Sequence, residues 1–115
     1  MRYIAELKIT EATSAVTSSV FVNNNCDLCA VQVFGTASAM KVQVQGMTDA
    51  SSATWENIAS FNMGDLSLTE GDDGMTAAGI YAVSVAGVSQ VRVKVASVSG
   101  GNVSVTAKFA DTSAT

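Results

Sequence analysis

Hydrophobic and polar residues alternate with a period of two along most of this chain. In residues 40–45, MKVQVQ, the side chains of Met40, Val42 and Val44 share one face, and a lysine and two glutamines share the other. Residues 79–109, GIYAVSVAGVSQVRVKVASVSGGNVSVTAKF, carry valine at nearly every second position. This pattern is typical of antiparallel strands with one buried face and one face in water.

The alternation predicts an all-β chain. Strands are expected at residues 3–9, 15–22, 28–34, 40–45, 54–61, 65–69, 79–86, 89–98 and 102–109. About eight or nine short strands with regularly spaced turns indicate an antiparallel β-sandwich, Ig-like or jelly-roll-like. Residues 1–115 are expected to form one domain, with residues 1–10 as a candidate arm that pairs with a partner. At most one helical turn is expected, near residues 75–78.

The last strands also allow a prediction of register, because their inward-facing residues all carry odd numbers. If these strands pair as hairpins, facing positions must sum to an even number to keep the apolar residues on one side. This parity predicts a three-residue loop at residues 99–101 (Ser-Gly-Gly), with a glycine in the left-handed region. Val95 would then face Val105, and Val93 would face Ala107.

The same parity predicts a second hairpin loop at residues 87–89, which would place Val85 opposite Val91. In both hairpins Arg92 and Lys94 would point away from the core. A buried position for these two side chains would therefore contradict the sandwich prediction.

Composition narrows the range of partners. Charged residues make up 14% of the chain, below the roughly 25% of an average domain, which is typical of a partly covered surface. The net charge is −4, and the six lysines and arginines are scattered, which argues against binding to nucleic acid or to a membrane. The first residues, MRYIAELKIT, lack an apolar signal region, so synthesis in the cytoplasm is expected.

The absence of histidine removes the commonest general base and the commonest zinc ligand, so we expect no enzymatic activity and no cofactor. Cys26 and Cys29 form a C-x-x-C pair between two predicted strands. One pair supplies too few ligands for a structural zinc. The favoured interpretation is a loop with one buried and one exposed thiol, with a local disulfide and a metal or redox pair as alternatives.

Two other groups of residues are candidates for binding. Asp65, Glu70, Asp72 and Asp73 form an acidic segment without the spacing of a calcium loop, so a solvated loop is favoured over a cation site. The amphipathic aromatic residues are Tyr3, Trp55 and Tyr81. For these rings, packing in the core or at an interface is favoured over sugar stacking.

From about residue 42 onward the chain resembles small β-sandwich virion proteins of tailed bacteriophages, such as head-decoration, head-fibre and tail accessory proteins. The resemblance rests on VQVQGMTDASSATWENIASFNM and MTAAGIYAVSVAGVSQVRVKVASVSGGNVSVTAKFA. The matching residues are Gly46, Asp49, Trp55, Gly79, Ile80, Tyr81, Val91, Arg92, Val93, Gly100 and Gly101. The first 40 residues, with the cysteine pair, lie outside it.

This resemblance implies a structural protein of the virion, and a capsid decoration protein is the first hypothesis. It would bind the major capsid protein or other virion subunits and associate with copies of itself, with a trimer expected. Tyr3 and Ile4 in the first strand, together with Trp55 and Tyr81, are the candidate contact residues. The alternatives are a tail or fibre module that binds host glycans through Trp55 or Tyr81, and a tail or neck adaptor.

Overall fold

The computed structural model of the protein describes residues 2–113, and almost all of its regular structure is β-strand. The strands are β1 Arg2–Ala12, β2 Val16–Thr17, β3 Phe21–Val22, β4 Leu28–Gly35, β5 Ala39–Met47, β6 Glu56–Ile58, β7 Ser60–Asn62, β8 Ser67–Thr69, β9 Gly79–Ser84, β10 Gln90–Ser99 and β11 Val103–Asp111. Residues 75–78, where at most one helical turn is expected, form none, and a 3-10 turn forms at Ala50–Ser52. No helix within residues 2–113 has the length and apolar character that crossing a membrane requires.

Two antiparallel sheets face each other. The six-stranded sheet has the order β1-β11-β4-β9-β7-β8. The five-stranded sheet has the order β2-β10-β5-β6, and β3 also pairs with β10. The chain is therefore an all-β protein with a sandwich of two sheets, as the alternation predicts.

The core between the sheets is built largely from valine. The side chains that are almost completely buried are Val31, Val33, Val42, Val44, Met75, Val83, Val85, Val91, Val93, Val95, Val103 and Phe109. Phe21 of β3 and Phe109 of β11 bridge the two sheets, with ring centroids 4.3 Å apart. Burial of each large apolar side chain contributes roughly 1.5–3 kcal/mol, so this layer stabilises both sheets together.

Both predicted hairpins are wrong. β10 pairs with β5, β2 and β3, whereas β11 pairs with β1 and β4, so residues 99–101 connect two sheets rather than two neighbouring strands. Residues 87–89 likewise lead from β9 in one sheet to β10 in the other. Gly100 does adopt the left-handed conformation, with φ 71°. The odd-numbered valines of these strands still face the core, because the inner face of either sheet lines the same core.

The long strand predicted at residues 54–61 is divided between the two sheets. β6 pairs with β5 in the five-stranded sheet, and β7 pairs with β8 and β9 in the six-stranded sheet. The change of sheet occurs at Ala59, the one residue between these strands. The predicted strand at residues 15–22 is likewise interrupted, into β2 and β3. Because two of the nine predicted strands are each divided in two, residues 2–113 contain eleven strands.

Candidate functional site

An apolar row crosses the outer face of the six-stranded sheet. The strand register places Ala30 of β4 opposite Ala82 of β9, Ala82 opposite Phe61 of β7, and Phe61 opposite Leu68 of β8. Leu68 is 75% exposed. The neighbouring Ile80 of β9 is also largely exposed. We call the surface formed by Leu28, Ala30, Phe61, Leu68, Ile80 and Ala82 the apolar face.

The apolar face contains an open depression of about 600 Å³. Its lining is mostly apolar and includes Leu28, Phe61, Leu68 and Ala82, with Asp27 at its rim. Monomeric proteins seldom leave contiguous apolar surface in water without a use, and such patches commonly mark sites of interaction. The depression is therefore the leading candidate for a contact site.

The hairpin between β7 and β8 extends this apolar surface. Its turn exposes Met63 and Leu66, and Leu66 adopts a left-handed backbone conformation with φ 61°. Such a conformation is unfavourable for a leucine, and it is commonly found where function requires it. The Asn62 side chain holds the turn by accepting hydrogen bonds from the backbone N–H groups of Gly64 and Asp65. The turn is thus fixed in a shape that exposes a large apolar side chain.

The outer face of the five-stranded sheet is polar by contrast. Arg92 Nε donates a hydrogen bond to Gln45 Oε1 at 2.9 Å, and Gln45 Nε2 donates to Asn57 Oδ1 at 2.9 Å. Asn57 Nδ2 donates in turn to Asp72 Oδ1 at 2.8 Å. Gln45 is only 6% exposed, so this chain of hydrogen bonds satisfies a buried amide on the outside of the sheet.

Trp55 covers part of this polar chain. The Arg92 guanidinium carbon lies 4.2 Å from the centre of the Trp55 ring, which is a cation–π contact. Trp55 is half-buried and lies just before β6, at the edge of the polar network rather than in the core. We call Trp55, Arg92, Gln45 and Asn57 the Trp55 platform.

The other predicted contact residues lie apart from one another. Tyr3 and Ile4 are exposed on β1, where Lys108 Nζ lies 5.2 Å from the Tyr3 ring centre. One edge of β1 pairs with β11 of the same chain, so a partner strand would have to use the other edge. Tyr81 is buried, and its hydroxyl donates to the Ala77 carbonyl at 2.7 Å. Tyr81 therefore packs in the core and offers no sugar-stacking surface.

The prediction of one buried and one exposed thiol is wrong, because Cys26 and Cys29 are both buried free thiols. Cys29 lies on β4 among the core valines, and its own burial raises the pKa of its thiol to about 12. Burial also raises the pKa of Cys26, and the nearby Asp111 and Asp27 carboxylates act in the same direction. A high thiol pKa suppresses the thiolate, so these cysteines are poor nucleophiles and poor metal ligands.

The acidic segment is exposed at all four carboxylates, as a solvated loop would be. Across residues 2–113, no group of three or more side chains of the metal-binding types lies close enough together to hold an ion. Asp72 instead accepts the hydrogen bond from Asn57, and its backbone carbonyl and that of Gly71 accept hydrogen bonds from Gln43 Nε2. The loop thus caps the polar face of the five-stranded sheet.

Sequence reasoning missed two residues that position these surfaces. Asn23 is buried; its Nδ2, which has two hydrogens to donate, lies within hydrogen-bond distance of the carbonyls of Cys26, Val85 and Val88, and its Oδ1 accepts from the Cys26 N–H. The run Asn23–Asn25 before the cysteines is a turn signal that marks this junction. Met75 follows the acidic segment, is buried, and pairs with Val42 through an isolated antiparallel β-bridge. No period-two pattern in the sequence predicts this pairing.

Comparison with known proteins identifies the family. The XepA family profile matches residues 6–109. The chain belongs to the XepA family. A search of curated protein sequences found no match.

Two solved structures share the fold. The crystal structure of SPBc2 prophage-derived protein YomS superposes with a TM-score of 0.69 at 18% identity, covering 92% of this chain and 94% of that chain. The crystal structure of PBSX exported protein XepA superposes with a TM-score of 0.75 at 20% identity, covering 95% of this chain. This chain corresponds to only 39% of that longer XepA chain. This XepA family member thus shares its sandwich with phage-derived proteins.

Proposed function

We propose that this XepA family protein is a phage structural protein without enzymatic activity, and that it acts by binding other protein subunits. The observation that carries the proposal is the apolar face, where Phe61 and Leu68 stand in water beside the strained turn residue Leu66. Exposed apolar side chains on a rigid sheet favour association because their contact with a partner removes them from water. The prophage origin of the YomS structural neighbour supports the phage context.

The partner that we propose is the protein shell of the virion, with the chain as a decoration protein on the capsid. A protein surface fits better than a membrane because Asp65 lies within the apolar hairpin and Glu70 follows β8. The chain also has a net charge of −4. An anionic lipid surface would repel these charges, whereas a coat subunit can offer apolar and neutral groups.

Quantitative mass spectrometry of purified phage particles tests this proposal. We expect the wild-type protein in a fixed ratio to the coat protein, and we expect Leu68→Asp to lower that ratio at least tenfold. Val22→Asp is the matched control, because Val22 is 62% exposed on the other sheet and its substitution should leave the ratio unchanged. The same losses in both variants, or absence of the wild-type protein from particles, would contradict the decoration role.

A second candidate function is that of a protein released from the host cell, since the XepA structural neighbour is described as an exported protein. In that case the wild-type protein accumulates in the medium and is absent from particles separated by density gradient. The apolar face would then contact a partner outside the particle. Quantifying the protein in particles and in particle-free medium from one culture separates the two candidates.

A further inference from the structure

Three of the six cationic side chains project from the outer face of the five-stranded sheet. Arg92 and Lys94 lie on β10, and Lys41 lies on the neighbouring β5. Within residues 2–113, the ion pairs closer than 4.0 Å are those of Glu6 with Lys8 and Lys108, on the other sheet. A chain of net charge −4 therefore places three cationic side chains on one face, and none of them forms an ion pair closer than 4.0 Å with a carboxylate of residues 2–113.

Arg92 is held in one orientation. Trp55 stacks on the guanidinium, and Gln45 accepts the hydrogen bond from Nε, so the contacts found within residues 2–113 fix the plane and one side of the group. The hydrogen bonds found within residues 2–113 do not occupy the edge of the guanidinium that carries the two Nη groups. That edge can bind a carboxylate through two parallel hydrogen bonds. A pre-oriented guanidinium loses little entropy when it binds an anion.

The neighbours of Arg92 are groups that bind sugar hydroxyls. Asn57 offers an amide, and the exposed Asp72 carboxylate accepts from Asn57 through one oxygen while its other oxygen can accept a hydroxyl proton. The half-exposed Trp55 indole offers an apolar surface and an N–H donor at the same place. Asp72 belongs to the same hydrogen-bonded chain as Arg92 and would repel a polyphosphate more strongly than a single carboxylate, so the site favours a ligand with several hydroxyls and one anionic group per sugar.

We propose that the Trp55 platform binds a carboxylate-bearing sugar of an acidic polysaccharide. The Arg92 guanidinium binds the carboxylate, with Lys94 adding positive charge two residues along the same strand. Asn57 and Asp72 bind ring hydroxyls, and the exposed edge of Trp55, whose face holds the Arg92 guanidinium, contacts the apolar side of the sugar. This site lies on the sheet opposite to the apolar face, so it can be occupied while the apolar face holds a protein partner.

Isothermal titration with oligogalacturonate tests the proposal, and the fully methyl-esterified oligomer serves as the neutral ligand with the same sugar rings. We expect binding of the acidic oligomer and at least tenfold weaker binding of its ester. Arg92→Gln and Trp55→Ala should each weaken binding of the acidic oligomer at least tenfold. Lys108→Gln removes the same charge from the other sheet, beside Tyr3, and should change the affinity less than twofold.

Circular dichroism separates loss of binding from loss of folding, and Arg92→Lys provides a folded variant that keeps the charge. This variant should still bind more weakly than the wild type, because an ammonium cannot form the paired hydrogen bonds. The proposal is overturned if the wild type does not bind oligogalacturonate at low salt. It is also overturned if Lys108→Gln weakens binding as much as Arg92→Gln does, since the attraction would then be general rather than local.

Discussion

The two sheets bury the same kind of residue and expose different kinds. Both inner faces are lined by valine, and both contribute to one core. On the outside, the six-stranded sheet exposes Leu68 by 75%, whereas Gln45 on the five-stranded sheet is only 6% exposed. Gln45 is joined to its neighbours by hydrogen bonds, whereas Leu68 projects into water.

Because of this difference, we expect the polar face to contribute to folding stability and the apolar face to contribute to the binding of partners. Hydrogen-bonded neighbours hold the polar face in one arrangement, so its residues contribute to folding and present a pre-organised surface. The exposed side chains of the apolar face contribute little to the folded state, because much of their surface is as accessible as in the unfolded chain. Substitutions should therefore weaken folding on the polar face and weaken association on the apolar face.

The largest effect on the free energy of unfolding is expected at a residue that packs against both sheets. Phe109 is fully buried between the sheets against Phe21, so Phe109→Ala should lower the free energy of unfolding by about 3–5 kcal/mol. Phe34→Ala is the matched control: it removes a phenylalanine that is 45% exposed on β4 and should cost less than about 1 kcal/mol. Urea denaturation measures both values. Equal losses of unfolding free energy in the two variants would contradict the larger contribution assigned to the buried Phe109.

The next largest effect on the free energy of unfolding compares one residue of the polar face with one residue of the apolar face. Gln45→Ala leaves Arg92 Nε and Asn57 Oδ1 without the partner that each has now. It should lower the free energy of unfolding by about 1–3 kcal/mol. Leu68→Ala, on the apolar face, should change it by less than about 0.5 kcal/mol. Urea midpoints at unchanged slope report these differences, and a larger loss for Leu68→Ala would reverse the assignment of the two faces.

Much of this fold follows from period-two alternation alone. The alternation places the odd-numbered valines of residues 83–105 inside and Arg92 and Lys94 outside, and the structure confirms both. It does not determine which strands pair, because an inward-facing residue satisfies the same rule in either sheet. The hairpin predictions for residues 87–89 and 99–101 failed for that reason.

The candidate surfaces were harder to predict, since each depends on which strands lie side by side. Ala82, Phe61 and Leu68 form one row only because β7 lies between β9 and β8 in the sheet, an order that the chain order β7, β8, β9 does not reveal. The contact of Trp55 with Arg92 joins residues 55 and 92 across β5 in the same way. Local pattern gave the aromatic candidate, but the pairing of strands gave its partner.

Alkaline pH should act on the core beneath the apolar face. Cys29 has a pKa of about 12 in the folded protein because it is buried, and the unfolded thiol titrates near 9.0. Its stabilising contribution is present below the unfolded pKa and is lost as pH rises toward the folded value. By pH 10 the loss should be about 1 kcal/mol relative to pH 8. Cys29→Ala should show a smaller fall than the wild type over this interval, by urea denaturation at each pH, and identical falls would contradict this origin.

The smallest effect is expected at acid pH, at the rim of the apolar depression. Thr112 donates to the Asp27 carboxylate from its hydroxyl and its backbone N–H, and these bonds lower the pKa of Asp27. This contribution to stability is present above the unfolded pKa and is lost as pH falls through the lower folded pKa. Thr112→Val removes the hydroxyl bond, so the Asp27 pKa should rise in a carbon-detected NMR titration. The pKa of Asp49, lowered by Ser51 outside this rim, should not move, and a shift of both carboxyls would point to a general change in the fold rather than to the bond at the rim.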